Sequence, residues 1–314
     1  MTNNKLEIIT YATHNENYFS ILIKSAKRNN LKLTVLGYGN MWVDFTDKLT
    51  EFLKYLKNKD PGLIVMFVDG FDVIINNTTE HEILNKYYSF NKPIVFSIDN
   101  FNSFAFPICY SKIANTGAYM GRVEELRELL TDIMQYNIKM NMRDDQLLLN
   151  HYLKYTEKHG YYEKHIAMDL RNEIFWNVPD VVTALTALYN PFDYIKKTYY
   201  YKDNKIKIKN NDNSPAIIQA NGSTDISYII KDLNYDISGV KDAVTYYKFK
   251  ITQVFNIMLN SRYYNNNNIL LYDFIMLLTS CFIVYNVYLL TINKMVLFSI
   301  LLISWCIFTI CVRW

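Results

Sequence analysis

A chain of 314 residues, half of them hydrophobic, is long enough for one large α/β domain or two small ones around a sizeable core. Its formal net charge of +3 is too small, and its lysines too scattered, to argue for a nucleic-acid partner. Of four cysteines (Cys109, Cys281, Cys306 and Cys311), three fall in the apolar C-terminal stretch. With no CxxC pair and no Cys/His cluster, the pattern argues against a structural zinc site.

Residues 6–13 (LEIITYAT) read as a first strand. Residues 18–29 place Phe19, Leu22, Ile23 and Ala26 at helical spacing. Residues 31–36 form a second strand, closed by Gly37, Tyr38 and Gly39. Residues 46–58 are helical, with Thr46 as N-cap and Leu49, Phe52, Leu53 and Leu56 on one face, until Pro61 and Gly62 break the pattern. Residues 63–68 are an apolar run rich in branched side chains, the signature of a strand buried on both faces. The run ends on Asp69, Gly70, Phe71 and Asp72. A helix over 79–88 carries Glu80 and Glu82 in its first turn, and residues 93–97 (PIVFS) are another short buried strand. Strands alternating with helices predict βαβ units and a mainly parallel sheet flanked by helices.

Further on, residues 114–121 (ANTGAYMG) combine small side chains and two glycines, suited to close backbone approach. Residues 123–134 and 143–155 are helical, the second opening on RDDQ. Residues 165–178 hold one more strand or a hairpin. Residues 205–209 alternate as a short strand, and residues 215–219 (PAIIQ) are a buried strand running into Ala220, Asn221 and Gly222.

Beyond about residue 260 the composition changes. An Asn-rich linker over 261–268 separates a first domain, residues 1–260, from two apolar stretches, 269–292 and 295–312. Each is long enough to cross a hydrocarbon core about 30 Å thick. The expectation is a C-terminal transmembrane hairpin over 269–314, with a re-entrant hairpin, a single tilted span and a buried helix pair left open. Residues 1–10 lack a basic region followed by an apolar one, so no cleavable signal peptide is expected. Asn76-Asn77-Thr78-Thr79 and Asn221-Gly222-Ser223 are glycosylation patterns beside the acidic motif and inside the Asn221 segment. The simplest topology keeps the first domain on the cytosolic side.

Two carboxylates three residues apart at the end of a buried strand are costly unless something pairs with them. Ligands bind at that end of the strands in open α/β sheets. A divalent cation would pair both, Mn²⁺ or Mg²⁺ preferring such oxygen ligands; the alternative is that Asp69 and Asp72 only shape a turn with Gly70. There is no GxxxxGK[ST] and no GxGxxG, which argues against a P-loop ATPase or kinase. The five histidines are scattered. A metal at this position suits a nucleotide-sugar glycosyltransferase, where it bridges the donor's diphosphate.

A series of short stretches then resembles one family in order: ITYAT (9–13), LGYGNMW (36–42), FVDGFDV (67–73), IVFSID (94–99), NTGAYMG (115–121), RDDQLLL (143–149), DLRNEIFWN (169–177) and PAIIQANGSTD (215–225). The chain resembles the glycosyltransferase domain of the procollagen lysyl hydroxylases, including its giant-virus versions, over roughly the first two-thirds of its length. The resemblance implies a GT-A-like fold, a UDP-sugar donor and Mn²⁺, without the hydroxylase domain.

Carried over by position, it implies Asp69 and Asp72 as metal ligands and Phe71 as the aromatic that stacks on uracil, with Trp42 as a second wall. Thr13, Lys48, Asn221 and Gly222 would join the donor site, Lys48 by neutralising diphosphate charge. Asp144 and Asp145 would sit across the sugar, orienting its hydroxyls or handling the acceptor's proton. The family's third metal ligand is a histidine; here the position is Gln219, whose neutral carbonyl oxygen is a weaker partner for Mn²⁺. The implied reaction moves a hexose from UDP-glucose or UDP-galactose to a hydroxyl acceptor, hydroxylysine of a collagen-like protein being one; a protein or glycan acceptor is not read by any residue. Two alternatives stand beside it: a membrane-anchored UDP-sugar-binding scaffold that has lost catalysis, and a metal-dependent nucleotide-cleaving enzyme. Asp144 also reads as a helix cap, Trp42 as core and Lys48 as a solvated helix face.

Overall fold

The computed structural model describes residues 6–102, 109–157, 164–178, 196, 198–220 and 226–238. The chain divides into two units, Met1–Asn265 and Asn266–Trp314, and everything described belongs to the first. The linker and hairpin expected over 261–314 lie outside the described residues. Among the described residues no helix is long and apolar enough to cross a membrane.

The elements run β1 (Leu6–Tyr11), α1 (Phe19–Arg28), β2 (Leu33–Leu36), α2 (Thr46–Leu56), β3 (Ile64–Asp69), β4 (Val73–Ile75), α3 (Glu80–Ser89), β5 (Ile94–Asn102), β6 (Cys109–Arg122), α4 (Val123–Met140), α5 (Asp145–Glu157), β7 (Ile166–Met168), β8 (Phe175–Val178), β9 (Tyr199–Lys202), β10 (Lys205–Ile208), β11 (Ile217–Ala220) and α6 (Ser227–Asp232). Six strands form the central sheet in the order β2-β1-β3-β6-β5-β7. All run one way except β6, which is antiparallel to both β3 and β5. A second sheet, β4-β11-β8, and the β9–β10 hairpin complete the described strands.

The buried apolar run is β3, and it divides its side chains between two cores. Val65 and Phe67 pack against Leu49, Phe52 and Leu56 of α2, Leu126 and Leu130 of α4, and Leu148 of α5. Ile64, Met66 and Val68 face Leu22 and Ala26 of α1, Ile83 and Tyr87 of α3, and Val73 and Ile217 of the second sheet. With both faces covered, alternation gives way to a continuous apolar run.

Local chemistry sets the helix starts. Thr79 accepts the Glu82 N–H while the Glu82 carboxylate accepts the Thr79 N–H, a full capping box for α3. Thr46 is not the cap of α2: it lies within the helix, and Asp44 Oδ1 accepts its N–H at 2.9 Å. The Asn76 glycosylation pattern is consumed by the fold. Asn76 is fully buried, and its amide donates to the carbonyls of Ile206 and Pro215 at 2.9 Å each.

One charge on the helix-facing side of β1 escaped the sequence reading. Glu7 is buried and accepts Tyr55 Oη–H at 2.8 Å, with Lys32 at 2.6 Å and Lys59 at 3.1 Å. Burial alone would raise its pKa, but the bonds from Lys32, Tyr55 and Lys59 outweigh it and hold the carboxyl at about 2. A carboxyl held below its unfolded value stabilises the fold above the ordinary carboxylate range, and that contribution is lost as pH falls towards 2. Glu7→Ala should cost roughly 2 kcal/mol in chemical denaturation at pH 7, and the gap from wild type should narrow as the pH is lowered below 4.

Candidate functional site

Tyr11 and Asp69 are register partners at the ends of β1 and β3, so the loops that follow them leave the sheet side by side. Asp69 turns to the face covered by α2. There Lys48, in the first turn of α2, places its ammonium 2.9 Å from Asp69 Oδ1 and 2.9 Å from Asp145 Oδ2. Lys48 and Asp145 are buried. Below them lies an aromatic floor: Phe67 and Phe96 stack on Tyr119 at 5.3 and 5.0 Å, and Phe52 packs on Phe67 at 5.2 Å.

Asp72 turns towards the second sheet. Its carbonyl accepts the Ala220 N–H at 2.7 Å, and its Oδ2 accepts from Gln219 Nε2 at 3.3 Å. Between Asp69 and Gln219 lies Gly117, in a stretch of β6 where the register with β5 jumps from Phe96–Tyr119 to Ser97–Asn115. An ideal Cβ on Gly117 would overlap Gln219 Nε2 and lie 2.8 Å from both Asp69 Oδ2 and Asn115 Oδ1. Only glycine lets these three side chains converge.

Burial raises the Asp69 pKa; Lys48 opposes the rise and the Asp145 charge adds to it. Burial pushes Asp72 up to about 7, the Asp69 charge adding to the effect against the Gln219 amide and Lys48. Asp144 is raised first by burial and then by Asp145. Burial would lower Lys48, but the charges of Asp145 and Asp69 override it and hold the ammonium above the ordinary lysine range.

Asp69, Asp72, Gln219, Lys48 and Asp145 are thus one linked set. Asp144 stands at its edge and caps α5, its Oδ1 accepting the Leu147 N–H at 2.8 Å. Lys48 is neither a solvated face nor a free ammonium, since two carboxylates engage it. Thr13, Trp42 and Phe71 lie on the loops beside the set. The Thr13 carbonyl accepts the Gly39 N–H at 2.9 Å. Gly37, at φ +73°, has no Cβ to strike the Tyr11 ring. Trp42 is 41% exposed, 6.0 Å from the Tyr11 ring and 5.2 Å from Phe45, so it is rim and not core. Phe71 is half-buried, 5.1 Å from the His14 ring. Asn221 and Gly222 lie outside the described residues.

The donor chemistry can be tested against a cation. Asp72 Oδ1 and Gln219 Oε1 are buried, accept hydrogen bonds but cannot donate them, and have no partner. Asn177 Oδ1 is in the same state, and Asn177 is the register partner of Gln219. Unpaired acceptor oxygens beside two carboxylates fit a hard divalent ion. Among the described residues no three His, Cys, Asp or Glu side chains group as a metal site, so the set depends on amide oxygen. Sequence reasoning passed over Asn177 and Gly117. The available signal was that FWN repeats the pattern of IIQ: a short apolar strand ending on an amide.

The family model described as PLOD GT domain matches residues 2–236. The chain belongs to the PLOD GT domain family. It is 25% identical over 241 residues to procollagen-lysine,2-oxoglutarate 5-dioxygenase of Drosophila melanogaster, covering 70% of this chain and 31% of that protein. It is 26% identical over 257 residues to the multifunctional procollagen lysine hydroxylase and glycosyltransferase LH3 of Rattus norvegicus, covering 74% and 31%. The chain therefore spans about a third of the length of these curated relatives. Among solved structures it is similar to a glycosyltransferase involved in the glycosylation of the major capsid of PBCV-1, with a TM-score of 0.42 and 9% identity over 73% of this chain and 98% of that one.

As a PLOD GT domain the chain is glycosyltransferase-like, a mixed α/β fold with a central sheet flanked by helices. Its Lys48 bridge has a measurable cost. Replacing Lys48 with Met leaves the buried Asp145 and the partly exposed Asp69 unneutralised, which should destabilise the fold by about 3 kcal/mol at pH 7.5. The deficit should shrink at pH 5, where Asp69, its pKa raised by burial, protonates more readily. Urea unfolding of both proteins at the two pH values measures it.

Proposed function

We propose that the chain is a Mn²⁺-dependent, GT-A-like glycosyltransferase that moves a hexose from UDP-glucose or UDP-galactose to a hydroxyl acceptor. The observation that carries the reading is the half-buried Asp69–Asp72 pair beside unpartnered acceptor oxygens at the C-terminal strand ends, in a chain of the PLOD GT family. Asp69, Asp72 and Gln219 are the residues that would hold the cation; Mg²⁺ is an alternative ion. A divalent ion held there would supply positive charge against the donor's diphosphate and the leaving nucleotide. Phe71 and Trp42 offer flat faces to the uracil, and Thr13, Asn221 and Gly222 line the donor. Lys48 keeps Asp69 and Asp145 in place, in addition to the positive charge it would add near the diphosphate. Asp144 and Asp145 orient the sugar's hydroxyls or accept the acceptor's proton, and burial makes Asp144 the more basic choice than a solvent-exposed carboxylate.

Hydroxylysine in a collagen-like chain is the acceptor suggested by the relatives' printed names. The C-terminal apolar stretches propose membrane attachment, with the glycosyltransferase domain on the cytosolic side; a mobility change on endoglycosidase treatment would overturn that side. A second reading, a UDP-sugar-binding protein without turnover, is favoured by one contact: Gln219 turns its amide nitrogen, not its oxygen, to Asp72.

UDP release from a panel of UDP-sugars, with and without Mn²⁺, separates the two. The transferase reading expects metal-dependent release that Asp72→Ala abolishes and for which Gln219→His lowers the Mn²⁺ requirement. No release from any donor by the folded protein removes it.

The Asp72 carboxyl also links the ion to pH. Its folded pKa is raised to about 7, so its protonated form favours folding; that contribution is present below the ordinary carboxylate range and is lost as pH rises to about 7. The chelated protein should therefore lose thermal stability between pH 5 and 7. Added Mn²⁺ should restore it at pH 7.5 and have little effect at pH 5, where protons hold the site.

A further inference from the structure

β8 and β11 are parallel neighbours that end together, Asn177 opposite Gln219. Along each strand the apolar side chains alternate. Phe175 and Ile217 face the central sheet, while Trp176 and Ile218 face the third core with the β9–β10 hairpin and α6. Asn177 and Gln219 fall on the face of Phe175 and Ile217, the one that looks towards β5 and β6. Each amide is oriented by its nitrogen: Gln219 Nε2 donates to Asp72 Oδ2 at 3.3 Å, and Asn177 Nδ2 donates to the Ile98 carbonyl at 3.2 Å. Each oxygen is left buried and without a partner, as is Asp72 Oδ1. Leaving one such group unsatisfied costs about 1–3 kcal/mol. Gln219 meets Asp72 and is the register partner of Asn177, and three such acceptors on neighbouring residues call for a positive charge or a set of donors.

We propose that Asn177 is a fourth oxygen donor of the cation site, acting with Asp69, Asp72 and Gln219 directly or through one coordinated water. The proposal rests on the reading of Asp69 and Asp72 as cation ligands. Its chemical content is that this site is built wholly of oxygen, two carboxylates and two neutral amides, and that the second amide makes good the ligand strength that Gln219 lacks. An all-oxygen set selects hard ions, Mn²⁺ and Mg²⁺, and discriminates little between them, whereas imidazole favours the later transition metals. Mg²⁺ should therefore displace Mn²⁺ more readily from the wild type than from Gln219→His.

The test is Mn²⁺ binding to the full chain without any sugar donor, read as loss of the free-ion electron paramagnetic resonance signal. Wild type, Asn177→Leu, Asn177→Asp and Asp72→Ala are compared at pH 7.5, with thermal unfolding in chelator to confirm folding. Asn177→Leu should weaken binding about tenfold or more. Asn177→Asp keeps an oxygen, adds a charge and deletes the bond to Ile98; it should bind Mn²⁺ more tightly than wild type even though its metal-free form melts lower. A side chain that only supports Ile98 would give lower melting temperatures in both variants and no tightening in Asn177→Asp, which overturns the proposal. If Asn177→Leu does not fold, Asn177→Asp decides alone. Wild type that binds Mn²⁺ while the Asn177 variants match it defeats this inference and leaves the transferase reading standing. Wild type that binds no Mn²⁺, while Asp72→Ala behaves identically, defeats the cation site itself.

Discussion

Lys48 holds two carboxylates from distant parts of the chain, Asp69 at the end of β3 and Asp145 at the start of α5, each at 2.9 Å. Two like charges gathered this closely repel by about 3 kcal/mol at an effective dielectric near 20, and each also pays for leaving water. The ammonium is what allows them to coexist. It fixes α2, β3 and α5 around one point, and it does so on an aromatic floor that excludes water from below. The rest of the site is arranged from that point. Lys48 reaches Asp72 only through space, so that carboxyl is governed by burial and the Asp69 charge against the Gln219 amide. A second positive charge is what the Asp72 side lacks.

This arrangement explains which parts of the molecule could be read in advance. β3 was legible because a strand buried on both faces writes itself as a continuous apolar run, and the acids that end it break that run abruptly. α1, α2 and α4 are legible from the period of their apolar residues, and α3 from the acids in its first turn. What was not legible shares a different property: it depends on a partner far along the chain. Glu7 sits in an ordinary alternation, and nothing local announces Lys32, Tyr55 and Lys59 around it. Residues 114–121 read only as small residues suited to close backbone approach, because the bulge interrupts the pattern, yet they belong to a 14-residue antiparallel strand between β3 and β5. Thr46 looked like a cap, but Asp44 two residues earlier offers a charged acceptor and takes the role.

At the site the same division holds. Asp69 and Asp72 stand out from spacing alone. Trp42 was placed on the loop after β2, and its exposure follows from Gly37, which bends that loop back over Tyr11. Lys48 was named for its charge but not for its partners. Gly117 and Asn177 were missed because neither carries charge: one matters for the Cβ it lacks, the other for an oxygen that nothing in its own strand would miss. Both become visible only when β6, β8 and β11 are set beside one another.

An amide in place of an imidazole changes more than ligand strength. A histidine ligand competes with protons near its ordinary pKa of about 6.5, so a site of two aspartates and a histidine loses its ion through two kinds of titration. Gln219 does not titrate, and neither does Asn177. At the cation site proposed above, all the proton competition would then fall on carboxylates, foremost on Asp72, raised to about 7. Lys48 restrains the rise at Asp69 by hydrogen bonding to it directly, and reaches Asp72 only through space. Asp72 is thus the acid the ammonium protects least, and an ion at the proposed site would gain most where the protein's own cation does not reach.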